Sequence, residues 1–303
     1  MSAARVRERA SDRLLALVTA RAPSRPVAIT RIVLGTVILA HAAETWRVLR
    51  RLADPSILRL PEWSFMPAPT PALVVALAVL WGVTAITFAL GYRTRVSGSL
   101  LAGVLAFVLC LDEQTYSNHL YLMTILVGLL TLADCGAALS LDARRAGARP
   151  DVPAWPVTLL KAQLSIVYGF AALAKLNAVY LSGRALARVV PWREIAAVFG
   201  MRATVYIVIA ASIAAVVTEM LLAVWFWSPR WRAPAVALGI LLHGGIVALM
   251  PGKFPLALFA GVMFSLYPLF WGDRRPERVG QSIDTGRPGP DRSRPRERQA
   301  LTA

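Results

Sequence analysis

Seven ionisable side chains lie inside long apolar runs of this sequence, and they are its first candidates for chemistry. A charged group at the centre of a bilayer costs at least about 2.5–3.5 kcal/mol, so such residues generally face the interior of a helix bundle and have a function there. All three histidines of the chain belong to this group. The seven residues are Arg31, His41, His119, Lys161, Lys175, Glu219 and His243.

Three polar residues repeat at a spacing of seven: Lys161, Tyr168 and Lys175. Seven residues of helix turn through about 700°, which returns each side chain to within about 20° of the same face. One helix therefore carries a stripe of amine, phenol and amine. Lys175 lies about 21 Å beyond Lys161 along this helix, at the end predicted to face the outside of the cell. His119 is predicted to begin the preceding membrane span at the same outer side. We expect Lys175 and His119 to face each other across one dry cavity.

The same residues also have structural interpretations. The long side chains of Lys161 and Lys175 can extend to the headgroup layer at little cost. His119 follows Asn118, which we predict to be the N-cap of its helix, so this histidine could be a satisfied interface residue.

The remaining buried groups also have a structural interpretation. His41, His243 and Glu219 could form pairings inside the bundle, for example with Arg31. A metal ion is not expected, because the three histidines are predicted to lie at different depths. Two cysteines are too few for a disulfide scaffold or a cysteine-based zinc site.

Eight apolar runs must position these residues, since a hydrocarbon core about 30 Å thick needs about 20 helical residues. We predict an all-α, polytopic helical bundle in the cell membrane. Its spans are 27–43, 71–91, 98–111, 119–133, 155–176, 203–227, 234–250 and 254–271. Residues 1–26 are predicted to be a basic cytoplasmic segment, and the charged, proline-rich residues 272–303 a disordered cytoplasmic tail.

Composition supports a membrane protein. Charged residues make up 17% of the chain, hydrophobic residues 57%, and the mean hydropathy is +0.57, whereas soluble proteins have about 25% charged residues. The net charge of +16 is distributed between apolar runs, so no nucleic-acid partner is expected. With a cytoplasmic N-terminus, 21 Lys and Arg fall on inner segments and nine on outer ones, which predicts both termini inside. The excess of Arg over Lys and the many alanines are typical of a bacterial genome of high GC content.

Several short motifs follow one another along residues 27–271. The two most specific are Asn118-His119, within Tyr116–Tyr121, and Ala174-Lys175-Leu176-Asn177, which leads to Gly183. They are accompanied by Thr30–Gly35, Leu90–Arg93, Leu141–Arg145, Pro153–Trp155 and His243. Together these segments resemble the membrane domain of vitamin K-dependent γ-glutamyl carboxylase, which defines the wider HTTM family.

The resemblance implies that Lys175 is a catalytic base for a quinol of vitamin K or menaquinone type, assisted by His119. In the carboxylases, oxygenation of the quinol yields a strong base that removes a γ-proton from a substrate glutamate, and the carbanion adds to CO₂. Desolvation of Lys175 would favour its neutral amine. We assign seven further residues to the substrate or quinol pocket: Asn118, Tyr121, Tyr168, Lys161, Arg31, His243 and Glu219. Membrane lipid and a secreted peptide or protein on the extracytoplasmic side are the expected partners.

Two departures from the carboxylases leave an alternative open. Ala174 stands where the carboxylases have a second lysine, and only 32 residues follow Trp271 where they have a large β-rich recognition region. The leading hypothesis is quinol-dependent carboxylation or oxygenation. The alternative is a non-catalytic membrane partner or maturation factor for a small secreted peptide, of the sporulation-delaying-toxin type. A transporter ranks last, because the sequence has no repeated halves or paired broken helices.

Overall fold

A computed structural model describes residues 18–272 and confirms the predicted all-α polytopic architecture. Its helices, in chain order, are α1 (Ser24–Leu52), α2 (Pro71–Leu90), α3 (Thr94–Leu111), α4 (Asn118–Leu132), α5 (Leu141–Ala146), α6 (Ala154–Lys175), α7 (Ala178–Leu181), α8 (Arg184–Ala187), α9 (Trp192–Phe199), α10 (Met201–Trp225), α11 (Arg232–Leu249) and α12 (Lys253–Leu266). Short 3₁₀ turns cover Glu113–Thr115 and Tyr267–Gly272.

Seven of these helices are long and apolar enough to cross a membrane: α1, α2, α3, α6, α10, α11 and α12, the last counted to Trp271. The predicted fourth span is present as α4, which is apolar but only 15 residues long. At 1.5 Å per residue it is about 22 Å long, shorter than a hydrocarbon core of about 30 Å. The orientation of the termini stays a prediction. Residues 1–17 and the predicted tail from residue 273 onward lie outside the described residues.

The first helix is longer than its apolar run. The sequence predicted a span at 27–43, whereas α1 continues to Leu52. Helix-forming residues carry it out of the apolar region, because Glu and Arg have high helix propensity even where their charges exclude them from hydrocarbon. The charged residues of this extension are Glu44, Arg47, Arg50 and Arg51.

A two-stranded ribbon fixes where α1 and α6 begin. Strand β1 (Arg21–Pro23) pairs antiparallel with β2 (Asp151–Pro153), and α1 and α6 follow these strands directly. The backbone N–H of Ser24 donates to the Pro150 carbonyl at 2.9 Å, which extends the pairing into α1. Both helices therefore begin at the same end of the bundle.

The apolar helices form a closed circuit of contacts: α1 packs on α2, α2 on α3, α3 on α4, α4 on α6, α6 on α10, α10 on α11, α11 on α12, and α12 on α1. Small residues allow the closest approach, as is usual between membrane helices. A Cβ on Gly35 of α1 would lie 2.8 Å from the Cβ of Ala89 on α2. The indole N–H of Trp81 donates to the Ile38 carbonyl at 3.0 Å and ties the same two helices together.

The start of α3 is capped by a residue far along the chain. Arg93, at its N-cap, has a φ of +43° and makes no side-chain cap of its own. The carboxylate of Asp142 instead accepts from the N–H of Arg93 at 2.7 Å and from the N–H of Thr94 at 2.8 Å. Burial acts to raise the pKa of Asp142. The hydrogen bonds from Thr94 and Arg93 and the charge of Arg145 outweigh it and hold the pKa below its ordinary value.

We predict that Asp142→Asn lowers the free energy of unfolding by about 1 kcal/mol at neutral pH, because an amide nitrogen cannot accept a capping hydrogen bond. The native pKa is depressed, so this stabilisation is present above the ordinary carboxyl pKa of about 3.9 and is lost as the pH falls through the lower native value. Unfolding of the detergent-solubilised protein measures the effect. Glu62→Gln, at an exposed carboxylate, is the control. Equal stability of Asp142→Asn and wild type at pH 7 would contradict the prediction.

Candidate functional site

The C-terminal end of α6 places Lys175 against α10, where it pairs with Glu219. Lys175 Nζ lies 2.7 Å and 2.8 Å from the two carboxylate oxygens and 3.2 Å from the Ala171 carbonyl. The three donors of an ammonium group therefore have three acceptors. The side chains of Lys175 and Glu219 are 27% and 7% exposed, so water screens their attraction weakly. The interpretation that Lys175 extends to the headgroup layer is wrong, because its ammonium pairs with the carboxylate of Glu219.

An apolar cavity of about 410 Å³ lies beside this pair. Its walls come from α10, α11 and the segment that contains α7, α8 and the start of α9. Apart from Lys175 and Glu219, only Tyr180 and Thr218 bring polar side chains to the lining. The other lining residues are Leu186, Val190, Ile195, Ile207, Val208, Ala211, Ala214, Ala215, Leu238, Leu241, Leu242, Gly245, Ile246, Leu249 and Met250. An apolar chamber with a few convergent polar groups is the usual form of a site for a lipophilic small molecule.

Tyr180 adds a phenol to the same cavity. Lys175 Nζ lies 5.9 Å from the centroid of its ring. Burial and the negative charge of Glu219 raise the pKa of Tyr180, so the phenol keeps its proton at neutral pH and remains a hydrogen-bond donor.

A second polar cluster joins Tyr168, His243 and Tyr267, all of them buried. The phenol oxygen of Tyr168 lies 3.0 Å from His243 Nε2 and 2.7 Å from the phenol oxygen of Tyr267. Gly239 makes room for the Tyr267 hydroxyl, because a Cβ at position 239 would collide with it. Tyr168 lies seven residues before Lys175, about 10.5 Å along α6, and is absent from the cavity lining.

A third cluster joins His41 and Glu44 of α1 to His119 at the start of α4. Glu44 Oε2 lies 3.6 Å from His41 Nε2 and 3.5 Å from His119 Nε2. The two imidazole centroids are 4.7 Å apart. The prediction that the histidines lie at different depths is therefore wrong for His41 and His119. His243 belongs to the tyrosine cluster instead.

Arg31 contacts the backbone of another segment rather than the cavity at Lys175. Its guanidinium is fully buried and donates to the carbonyls of Cys135 and Leu139 at 2.6 Å each, and to that of Ala138 at 3.4 Å. These carbonyls belong to the segment that follows α4. The suggested pairing of Arg31 with Glu219 is wrong, and Arg31 does not line the cavity at Lys175.

The other three predicted pocket residues also lie away from this cavity. Lys161 is buried, with its ammonium 5.4 Å from the centroid of the Phe270 ring. Its side chain therefore does not extend to the headgroup layer. Asn118 and Tyr121 are exposed. Asn118 is also not the N-cap of α4. The N-cap is the preceding residue, Ser117, whose hydroxyl oxygen accepts from the N–H of Leu120.

The structure thus assigns Lys175 and His119 to two different clusters. The lining of the cavity at Lys175 includes Glu219 but not His119, and His119 has its contacts with α1. The single chamber expected from the sequence is replaced by an ion pair beside an apolar cavity and a separate group of two histidines and a carboxylate.

Sequence reasoning missed Glu44 and Tyr267. The predicted first span ended at Ala43, which left Glu44 in a loop. The spacing of His41 and Glu44, three residues apart on one helix face, was the signal that could have found it. Tyr267 had no such signal, because only the packing of the last turns against α6 brings its hydroxyl to Tyr168.

Comparison with known proteins agrees with this architecture. The family model described as the HTTM domain matches residues 21–273. No solved structure matches the chain.

We predict that Arg31→Met destabilises the protein by at least about 1–3 kcal/mol, because it leaves buried carbonyls without a donor. The local effect should be faster amide hydrogen exchange in residues 133–140, with unchanged exchange in residues 207–219 beside the cavity. Hydrogen-exchange mass spectrometry measures both segments. Arg47→Met is the matched control, since Arg47 is an exposed arginine of the same helix, α1. Exchange in 133–140 that matched wild type would show that Arg31 does not hold this segment.

Proposed function

Because the HTTM match covers residues 21–273, the chain belongs to the HTTM domain family, and we propose that it is an enzyme of the cell membrane that carries out quinol-dependent carboxylation or oxygenation. The family and the seven long apolar helices make it a multi-pass membrane protein. The observation that carries the enzymatic proposal is the shielded pair of Lys175 and Glu219 beside an apolar cavity.

The pair, rather than an isolated lysine, is the proposed acid–base group. An oxygen of Glu219 can accept a proton from a hydroxyl bound in the cavity, while the ammonium of Lys175 stays in place to stabilise the oxyanion that remains. Tyr180 is positioned to donate a further hydrogen bond. In this proposal Lys175 acts with Glu219, and His119 takes no part in the proton transfer.

The cavity suits a quinol of vitamin K or menaquinone type by its chemistry. Aliphatic walls from α10 and α11 match an apolar ring and isoprenoid chain, and the polar groups converge near Lys175. When bound, a quinol supplies an ionisable O–H and two electrons. The lining is almost entirely apolar, and a low local dielectric strengthens the interaction of Lys175 with any developing negative charge.

Exposed arginines on the segment around the cavity support an acidic peptide or protein as the second substrate. Leu186, Val190 and Ile195 of this segment line the cavity. The arginines beside them are Arg184, Arg188, Arg193 and Arg202, all exposed. Clustered positive charge attracts glutamate-rich segments and raises their local concentration.

Quinol oxidation under oxygen tests the proposal. We expect wild-type protein in lipid nanodiscs to oxidise vitamin K hydroquinone faster than empty nanodiscs, and Lys175→Ala to lose about 10²- to 10⁴-fold of that rate. Glu219→Gln should lose a similar factor. Lys253→Ala, at the exposed start of α12, is the matched control and should keep the wild-type rate.

Loss of folding must be separated from loss of chemistry. Removing one partner of a buried ion pair leaves an uncompensated charge, whereas replacing both by apolar residues is often tolerated. The double variant Lys175→Met with Glu219→Leu should therefore elute as a folded protein and still be inactive. Wild-type turnover in this double variant, or no turnover in the wild type, would overturn the proposal.

A further inference from the structure

We propose that His41, Glu44 and His119 bind one divalent transition-metal ion, of the class that includes zinc. One nitrogen or oxygen from each residue lies within 4.8 Å of the other two. The cluster is distinct from the cavity at Lys175, whose lining contains none of the three residues. The inference therefore does not depend on the proposed function.

The separations fit ligands around one ion better than they fit hydrogen bonds. With metal–ligand distances of about 2.0–2.1 Å, tetrahedral geometry places ligand atoms about 3.3–3.4 Å apart. Glu44 Oε2 lies 3.6 Å and 3.5 Å from the two Nε2 atoms. A charge-assisted hydrogen bond between imidazole and carboxylate would be about 2.7–2.9 Å long.

All three ligand atoms are buried and unpaired. Within residues 18–272, His41 Nε2, Glu44 Oε2 and His119 Nε2 have no hydrogen-bond partner. His41 itself is only 3% exposed. Leaving a buried polar atom without a hydrogen bond is unfavourable, and more so for a charged atom. A single cation would satisfy all three atoms at once.

Neighbouring residues orient His41 as they would a metal ligand. Its other ring nitrogen, Nδ1, lies 2.9 Å from the Thr45 hydroxyl oxygen. When Nδ1–H donates to Thr45, Nε2 carries the free electron pair and presents it to Glu44 and His119. The indole of Trp81 lies parallel to the imidazole, with an interplanar angle of 6°, and helps to fix its plane. Hydrogen bonds of this kind are the usual outer support of a metal-bound histidine.

The donor set selects the class of metal. Two imidazole nitrogens and one carboxylate suit Zn²⁺ and the neighbouring first-row ions, whereas Mg²⁺ and Ca²⁺ prefer oxygen ligands alone. Three protein ligands leave a coordination position free for water or a substrate, as in catalytic zinc sites. Glu44 and His119 are 26% and 15% exposed, so the cluster lies close to the surface of the bundle.

Metal content is the direct test. The full chain, purified with a tag that contains no histidine, should hold about one Zn²⁺ after dialysis against micromolar ZnCl₂ and removal of the excess. Co²⁺ in its place should give the intense visible absorption of a tetrahedral ion. Glu44→Gln and His119→Ala should bind Zn²⁺ at least about tenfold more weakly. Glu62→Gln and His243→Asn are the matched controls and should bind it as the wild type does.

A milder change guards against misfolding. Thr45→Val keeps the size of the side chain and removes only the partner of His41 Nδ1, so it should weaken Zn²⁺ binding about tenfold or more while the elution profile stays that of wild type. The double variant Lys175→Met with Glu219→Leu should keep full metal binding, which separates this site from the proposed acid–base pair. Absence of Zn²⁺ and Co²⁺ binding in the wild type, or equal binding in Glu44→Gln and His119→Ala, would overturn the proposal.

Discussion

A charged group inside an apolar bundle must find its partner within the protein, because hydrocarbon offers no hydrogen bonds. This constraint accounts for the internal contacts of this chain. The two terminal nitrogens of the Arg31 guanidinium donate to backbone carbonyls and thereby anchor the segment after α4. The ammonium of Lys175 is satisfied by Glu219, and this ties the end of α6 to α10. Arg31 and Lys175 look equivalent in the sequence but have different surroundings. Arg31 holds backbone carbonyls, whereas Lys175 lies beside a cavity.

The sequence was sufficient to predict the long apolar helices, because apolar runs of membrane length have few alternatives. It was also sufficient to find the ionisable residues within the apolar runs, although not Glu44, which lies just beyond the predicted first span. It could not predict their partners. Glu219 pairs with Lys175 rather than Arg31 because α10 packs against α6, and the order of helices around the bundle is not encoded in any one span. His41 and His119 meet because α1 and α4 pack together, which local patterns do not reveal.

The segment between α6 and α10 illustrates the same limit for the cavity. It lies between the predicted spans 155–176 and 203–227, where no helix was predicted. In the structure its apolar residues are gathered by α7, α8 and α9, and Tyr180, Leu186, Val190 and Ile195 become one wall of the chamber. Short helices of four to eight residues depend on tertiary packing rather than propensity. A pocket built from them is therefore visible only once the long helices are in place.

Pairing Lys175 with Glu219 changes how a base can work inside a membrane. A lone neutral amine that takes a proton becomes an isolated buried cation, which a low-dielectric cavity disfavours. In the proposed transfer, the proton from a bound hydroxyl would go to the Glu219 carboxylate, and the negative charge would move to the substrate oxygen, still beside the same ammonium. The cavity contains one positive and one negative charge before and after the transfer. In this proposal the carboxylate allows the proton transfer without creating an unpaired charge, and the lysine stabilises the oxyanion that forms.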